Sequence, residues 1–99
     1  MLNIQKTVED NSAVITLAGR LDTTTSPDLE QVLRETFPGL TELTLDFSDL
    51  VYISSAGLRV LLVAQKQMNR QGSMKLRGVN KAIREIFDVT GFSDILTME

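Results

Sequence analysis

Residues 42–68 run Glu42-Leu43-Thr44-Leu45-Asp46-Phe47-Ser48-Asp49-Leu50-Val51-Tyr52-Ile53-Ser54-Ser55-Ala56-Gly57-Leu58 and continue through Leu61, Leu62 and Gln65 to Met68. Two hydrophobic periods meet inside this stretch. Leu43, Leu45 and Phe47 alternate with Glu42, Thr44 and Asp46, the two-residue period of a β-strand. Leu58, Leu61, Leu62, Gln65 and Met68 share one stripe at helical spacing, with Arg59, Lys66 and Arg70 outside it. Between them, Ser48 to Ser55 is expected to be a loop, with the helix starting near its end and closing at Gly72. A strand, a loop and a helix in that order are the repeating unit of an α/β fold.

The flanks extend the pattern. Leu2, Ile4 and Val8 alternate with Asn3, Gln5 and Thr7, and Ala13, Ile15 and Leu17 alternate with Val14 and Thr16. With the turn Glu9-Asp10-Asn11-Ser12 between them, these runs predict an antiparallel hairpin that Gly19 closes. Ser26-Pro27 reads as an N-cap followed by proline at the first helical position, with Asp28 and Glu30 suited to the helix dipole. Leu29, Val32 and Leu33 give that helix its apolar face, and Pro38-Gly39 ends it. Met74 and Leu76 mark a further strand. Asn80 caps a helix that carries Ile83, Ile86 and Phe87 and stops at Gly91, and Ile95, Leu96 and Met98 leave room for a last strand. The expected order is β-β-α-β-α-β-α and a final β. It amounts to one α/β domain over residues 1–99, with a mixed sheet made of an N-terminal antiparallel hairpin and parallel crossovers, and three to four helices.

Composition narrows the function. The chain has 99 residues, 42% of them hydrophobic, which suits a folded domain rather than a disordered one. It contains no cysteine and no histidine, so disulfides, thiolate metal sites and the commonest general base near neutral pH are all excluded. Neither a metal site nor a cofactor is expected. A net charge of −3 disfavours nucleic acid, whose phosphates are usually met by a basic patch. No apolar run is long enough to span a bilayer and the first residues lack a secretion-signal pattern, so the expected setting is cytoplasmic, without membrane insertion. Another protein is the expected partner.

If the strands ending near Leu17 and Phe47 run parallel, the loops that leave them emerge on one edge of the sheet and bring Asp22 close to Ser55. Ser54 and Ser55 both stand where a helix begins, where unpaired backbone N–H groups and the helix dipole accommodate an anion. An N-cap explains one of these hydroxyls, and Ser54 is the better candidate for it. Ala56 and Gly57 leave the backbone open to a partner. Asp22, Asp46 and Asp49 are candidate acids beside the site, or ordinary turn and capping residues. Tyr52 is expected in the core or as a loop anchor, Phe87 and Phe92 in the core, and Arg59, Lys66, Arg70 and Lys75 as solvated charge.

The run from Asp49 to Leu62, D-L-x-Y-I-S-S-A-G-L-R-V-L-L, resembles the signature loop and helix of STAS-domain anti-sigma factor antagonists. Gly19-Arg20-Leu21-Asp22 is similar to that family's G-x-L-D turn, and Gly72 to Leu76 to its segment after the second helix. Ile83 to Phe87 with Thr90-Gly91-Phe92 is similar to its terminal helix. The resemblance implies a partner switch. The unphosphorylated protein binds an anti-sigma factor with serine kinase activity and frees the sigma factor; phosphorylation releases it; a serine phosphatase resets the cycle. Members carry the modified serine two residues before a glycine, which here is Ser55 before Gly57. Two positions depart from the family pattern: Ser54 replaces an aspartate, and Ala56 a serine or threonine. The implied partner surface is Asp22, Thr23, Ser54, Ser55, Ala56 and Gly57, on a monomer. An alternative within the same fold is a STAS docking subunit of a membrane transporter or larger signalling assembly that is never phosphorylated. Catalysis is not expected: Ile53 stands where a nucleophile elbow needs glycine, and no histidine is present to activate Ser55.

Overall fold

The computed structural model describes residues 1–99. Strands β1 (Leu2–Glu9) and β2 (Ser12–Leu21) form the antiparallel hairpin, with Asp10 taking a left-handed φ of +52° in the turn. Helix α1 (Ser26–Thr36) crosses to β3 (Glu42–Ile53), which pairs parallel with β2; helix α2 (Ser55–Gln71) crosses to β4 (Ser73–Arg77), parallel to β3. Helix α3 (Lys81–Thr90) and a 3₁₀ turn, Phe92–Asp94, complete the chain. The sheet order is β1-β2-β3-β4. Because the parallel strands advance in one direction, crossovers of the same hand lay α1 and α2 on the same face. There Ile15, Leu17, Leu45 and Phe47 meet Leu29, Leu33, Leu61, Met68, Ile83 and Phe87 in one cluster.

Four expectations need correction. Ser48 to Ile53 is strand rather than loop, since β3 runs to Ile53. The alternation stops at Phe47 because the register with β2 slips twice. Thr16 pairs with Asp46 but Ala18 with Asp49, and Gly19 pairs with Leu50 but Arg20 with Tyr52. Each slip adds one residue to β3 and changes which parity faces the core. The buried positions therefore run Phe47, Leu50, Ile53 at intervals of three.

The hairpin also continues past Gly19 to Leu21. Gly19 (φ +107°) is where the chain admits the Met1 carbonyl, which a Cβ would meet at 2.2 Å. Thr25, rather than Ser26, is the N-cap residue of α1; Ser26 lies inside the first turn, buried, its hydroxyl donating to the Asp22 carbonyl at 2.6 Å. The expected last strand is reduced to a single parallel bridge between Met98 and Leu76, because Phe92 to Asp94 coil first.

The other helix ends follow their chemistry. Asn80 Oδ1 accepts from the Ile83 N–H at 2.9 Å, and Gly91 (φ +82°) ends α3 in the left-handed region. Gly72 ends α2 for a different reason. Its φ of 171° suits any residue, but a Cβ there would sit 1.9 Å from the Thr41 carbonyl oxygen.

Candidate functional site

The parallel pairing of β2 and β3 ends at Leu21 and Ile53, and the Ser54 N–H donates to the Leu21 carbonyl at 2.9 Å. Asp22 and Ser54 therefore leave the sheet side by side, as the shared-edge reading requires, although both strands end later than expected. Ser54 holds the extended N-cap conformation (φ −97°, ψ 175°), and its hydroxyl accepts from the Gly57 N–H at a long 3.4 Å. The first helical bond runs from the Leu58 N–H to the Ser54 carbonyl, 2.9 Å. Ser55 is the first helical residue and is exposed. No side-chain hydrogen bond within the chain uses its hydroxyl, whereas the Ser54 hydroxyl serves as the cap. The two serines thus have different jobs.

Ala56 is half-buried and Gly57 buried. A Cβ on Gly57 would lie 2.8 Å from both Leu21 Cγ and Ile53 Cγ1. The missing side chain lets α2 start directly against the ends of β2 and β3, so Gly57 sets the position of the surface beside it rather than adding a side chain to that surface.

Asp22 organises the other lip. Its Oδ1 accepts from the Thr24 hydroxyl (2.8 Å) and N–H (3.0 Å) and from the Thr25 N–H and hydroxyl (both 3.1 Å). Thr25 Oγ1 in turn accepts from the Asp22 N–H at 2.8 Å, and its one proton is shared between Asp22 Oδ1 and the nearer Arg20 carbonyl at 2.8 Å. This Asx-type turn fixes Thr23 on the surface. The Thr24 hydroxyl, with the Thr25 and Thr24 N–H groups and the Thr25 hydroxyl, holds the Asp22 carboxyl below its usual range, against an opposing push from partial burial. Arg20 lies 3.9 Å from Asp22 Oδ2 and stacks over the Tyr52 ring at 4.2 Å. Tyr52 is thus a surface platform for Arg20, not a core residue.

Asp46 and Asp49 do not join this lip, because they pair with Thr16 and Ala18 back along the sheet. Asp46 accepts from the Ser48 hydroxyl (2.6 Å) and N–H (2.9 Å) and from Arg77 Nε (3.0 Å). The Ser48 hydroxyl and N–H lower its pKa most; burial pushes against them, and Arg77 adds smaller lowering contributions.

Because Asp22 and Asp46 titrate lower folded than unfolded, each stabilises the fold fully above the unfolded carboxylate value of about 3.9. That contribution is lost as pH falls through the depressed folded value. Urea midpoints measured from pH 6 down to pH 2.5 are expected to fall less steeply in Asp22→Asn and Asp46→Asn than in the wild type.

Beside Ser55, between α1 and α2, lies a groove of about 200 Å³ lined by Thr23, Pro27, Glu30, Ala56, Arg59 and Val63, among others. It was not read from the sequence. Its signal there is Val63, an apolar residue off the buried stripe of α2 and exposed in the fold.

Residues 4–97 match the family model described as "Mlab, STAS domain". The chain belongs to the STAS domain family. This STAS domain is 28% identical over 96 residues to the anti-sigma-B factor antagonist of Bacillus subtilis, covering 96% of this chain and 88% of that protein. Its fold resembles that of an anti-sigma factor antagonist from Mycobacterium paratuberculosis, with a TM-score of 0.89 at 20% identity, covering 99% of this chain and 85% of that one. It also resembles the Bacillus cell fate determinant SpoIIAA in its phosphorylated form, with a TM-score of 0.77 at 19% identity, covering 98% and 91% of the two chains.

Proposed function

We propose that this STAS domain is a monomeric cytoplasmic anti-sigma factor antagonist. Unphosphorylated, it binds an anti-sigma factor that is also a serine kinase and so frees the sigma factor; phosphorylation of Ser55 ends the binding, and a serine phosphatase restores it. The observation that carries this reading is the division of labour between the two serines. Ser54 caps α2, while the exposed Ser55 hydroxyl stays out of the internal hydrogen bonding. Asp22, Thr23, Ser54, Ser55 and Ala56 form the partner surface, with Gly57 setting its position. The relative named as an anti-sigma-B factor antagonist and the fold shared with phosphorylated SpoIIAA support the same job.

A second reading is a docking subunit that is never phosphorylated. It is favoured by a site in which Ser54 stands where the family pattern has aspartate.

Intact-mass and peptide analysis after incubation with ATP and the organism's anti-sigma kinases separates the two. One phosphate is expected on the wild type and on Ser54→Ala, and none on Ser55→Ala. No transfer to the wild type from any of those kinases would turn the assignment to the docking subunit.

A further inference from the structure

Four cations deserve comparison around the α1–α2 edge. Arg20 is held between Tyr52 and Asp22. Arg34 pairs with Glu30 one turn before it on α1, at 3.5 Å. Lys66 is exposed but lies eleven residues beyond Ser55, about 16 Å along the helix. Arg59 is exposed, takes part in none of the chain's salt bridges, and stands four residues after Ser55 on α2. Glu30, the acid that shares the groove with it, is engaged by Arg34.

Spacing and direction both favour an Arg59–Ser55 encounter. Residues i and i+4 are neighbours on a helix surface, and helical side chains lean toward the N-terminus, so Arg59 covers the turn that contains Ser55. Nothing bulky intervenes, since residue 56 is alanine and residue 57 glycine.

Building on Ser55 as the modified residue, we propose that Arg59 is the internal counter-ion of the Ser55 phosphate. In the unphosphorylated chain its guanidinium lies free at the groove, available to a partner's carboxylate. Once Ser55 carries a phosphate, the guanidinium folds back across Ala56 onto the phosphate oxygens in a charge-assisted pair. Phosphorylation then does two things at once: it adds a bulky anion to the surface and removes the groove's cation from the partner. The groups facing the phosphate in this account are Arg59 from α2, Asp22 and Arg20 from the end of β2, and Glu30 from α1.

The test needs neither kinase nor partner. Full-length chain with phosphoserine incorporated at position 55 during translation is titrated by ³¹P NMR, alongside the same chain with Arg59→Gln or Lys66→Gln. The second ionisation, near pH 6 for an ordinary phosphoserine, is expected about 0.2 to 0.4 unit lower in the wild type than in Arg59→Gln. The difference should collapse in 1 M salt, and Lys66→Gln should match the wild type. The helix dipole is common to all three chains and cancels. Equal values for wild type and Arg59→Gln, or equal shifts from both substitutions, would overturn the pairing. Because the phosphoserine enters during translation, this result is independent of whether any kinase modifies Ser55.

Discussion

Phosphoserine installed at position 55 is expected to lower the affinity for the anti-sigma factor at least about a hundredfold, or roughly 3 kcal/mol. The modification adds about −1.5 to −2 charge near neutral pH to a chain that already carries −3. It does so on the exposed first residue of α2, alongside the ordered Asp22 turn. In an interface, that anion must be desolvated beside an acid whose ionised form is stabilised by hydrogen bonds from Thr24 and Thr25. Titration calorimetry with unmodified and phosphoserine-bearing chains measures the change directly. A loss smaller than about fivefold would mean that the partner does not bury Ser55, and the switch would have to work elsewhere.

Phe87→Ala is expected to cost about 3 to 5 kcal/mol of folding stability, a large share of the roughly 5 to 15 kcal/mol typical of a domain this size. Phe87 has no exposed surface, and its ring centroid lies 6.4 Å from those of both Phe47 and Phe92. Only Ile83 and Phe87 of α3 are fully buried, so this ring is one of the two fully buried side chains that hold the helix against the sheet. Urea denaturation followed by circular dichroism reads the loss. A change below about 1 kcal/mol would indicate that neighbouring side chains collapse into the space.

Most elements were legible because their signals are local. The β2 alternation of Ala13, Ile15 and Leu17, the α2 stripe, and the Asn80 and Gly91 caps each depend on residues within one or two turns of one another. The errors arose where a distant strand or carbonyl decides. Nothing local in Ser48 to Ile53 shows that β2 pairs with it through two register slips. Nor does the sequence show that Ser26 donates to Asp22 instead of capping α1. The neighbourhood of Asp22 and Ser55 was readable from topology, since parallel strands deliver their ends to one edge. The groove was not, because it exists only once α1 and α2 have packed.

The two slips in β3 have an arithmetic consequence. Phe47 and Ser48 together face Leu17, and Val51 is the second supernumerary residue, so β3 takes twelve residues to cover the length that β2 covers in ten. A chain without both Ser48 and Val51 would read Phe47, Asp49, Leu50, Tyr52, Ile53. Inward and outward positions would then alternate without interruption, and Ile53 would still end opposite Leu21. Removing either one alone would turn Ile53 outward or force the slip elsewhere, and would shift the start of α2 by one residue against Asp22. Insertions and deletions along this strand therefore cancel in pairs, and an odd count is what separates the two halves of the site.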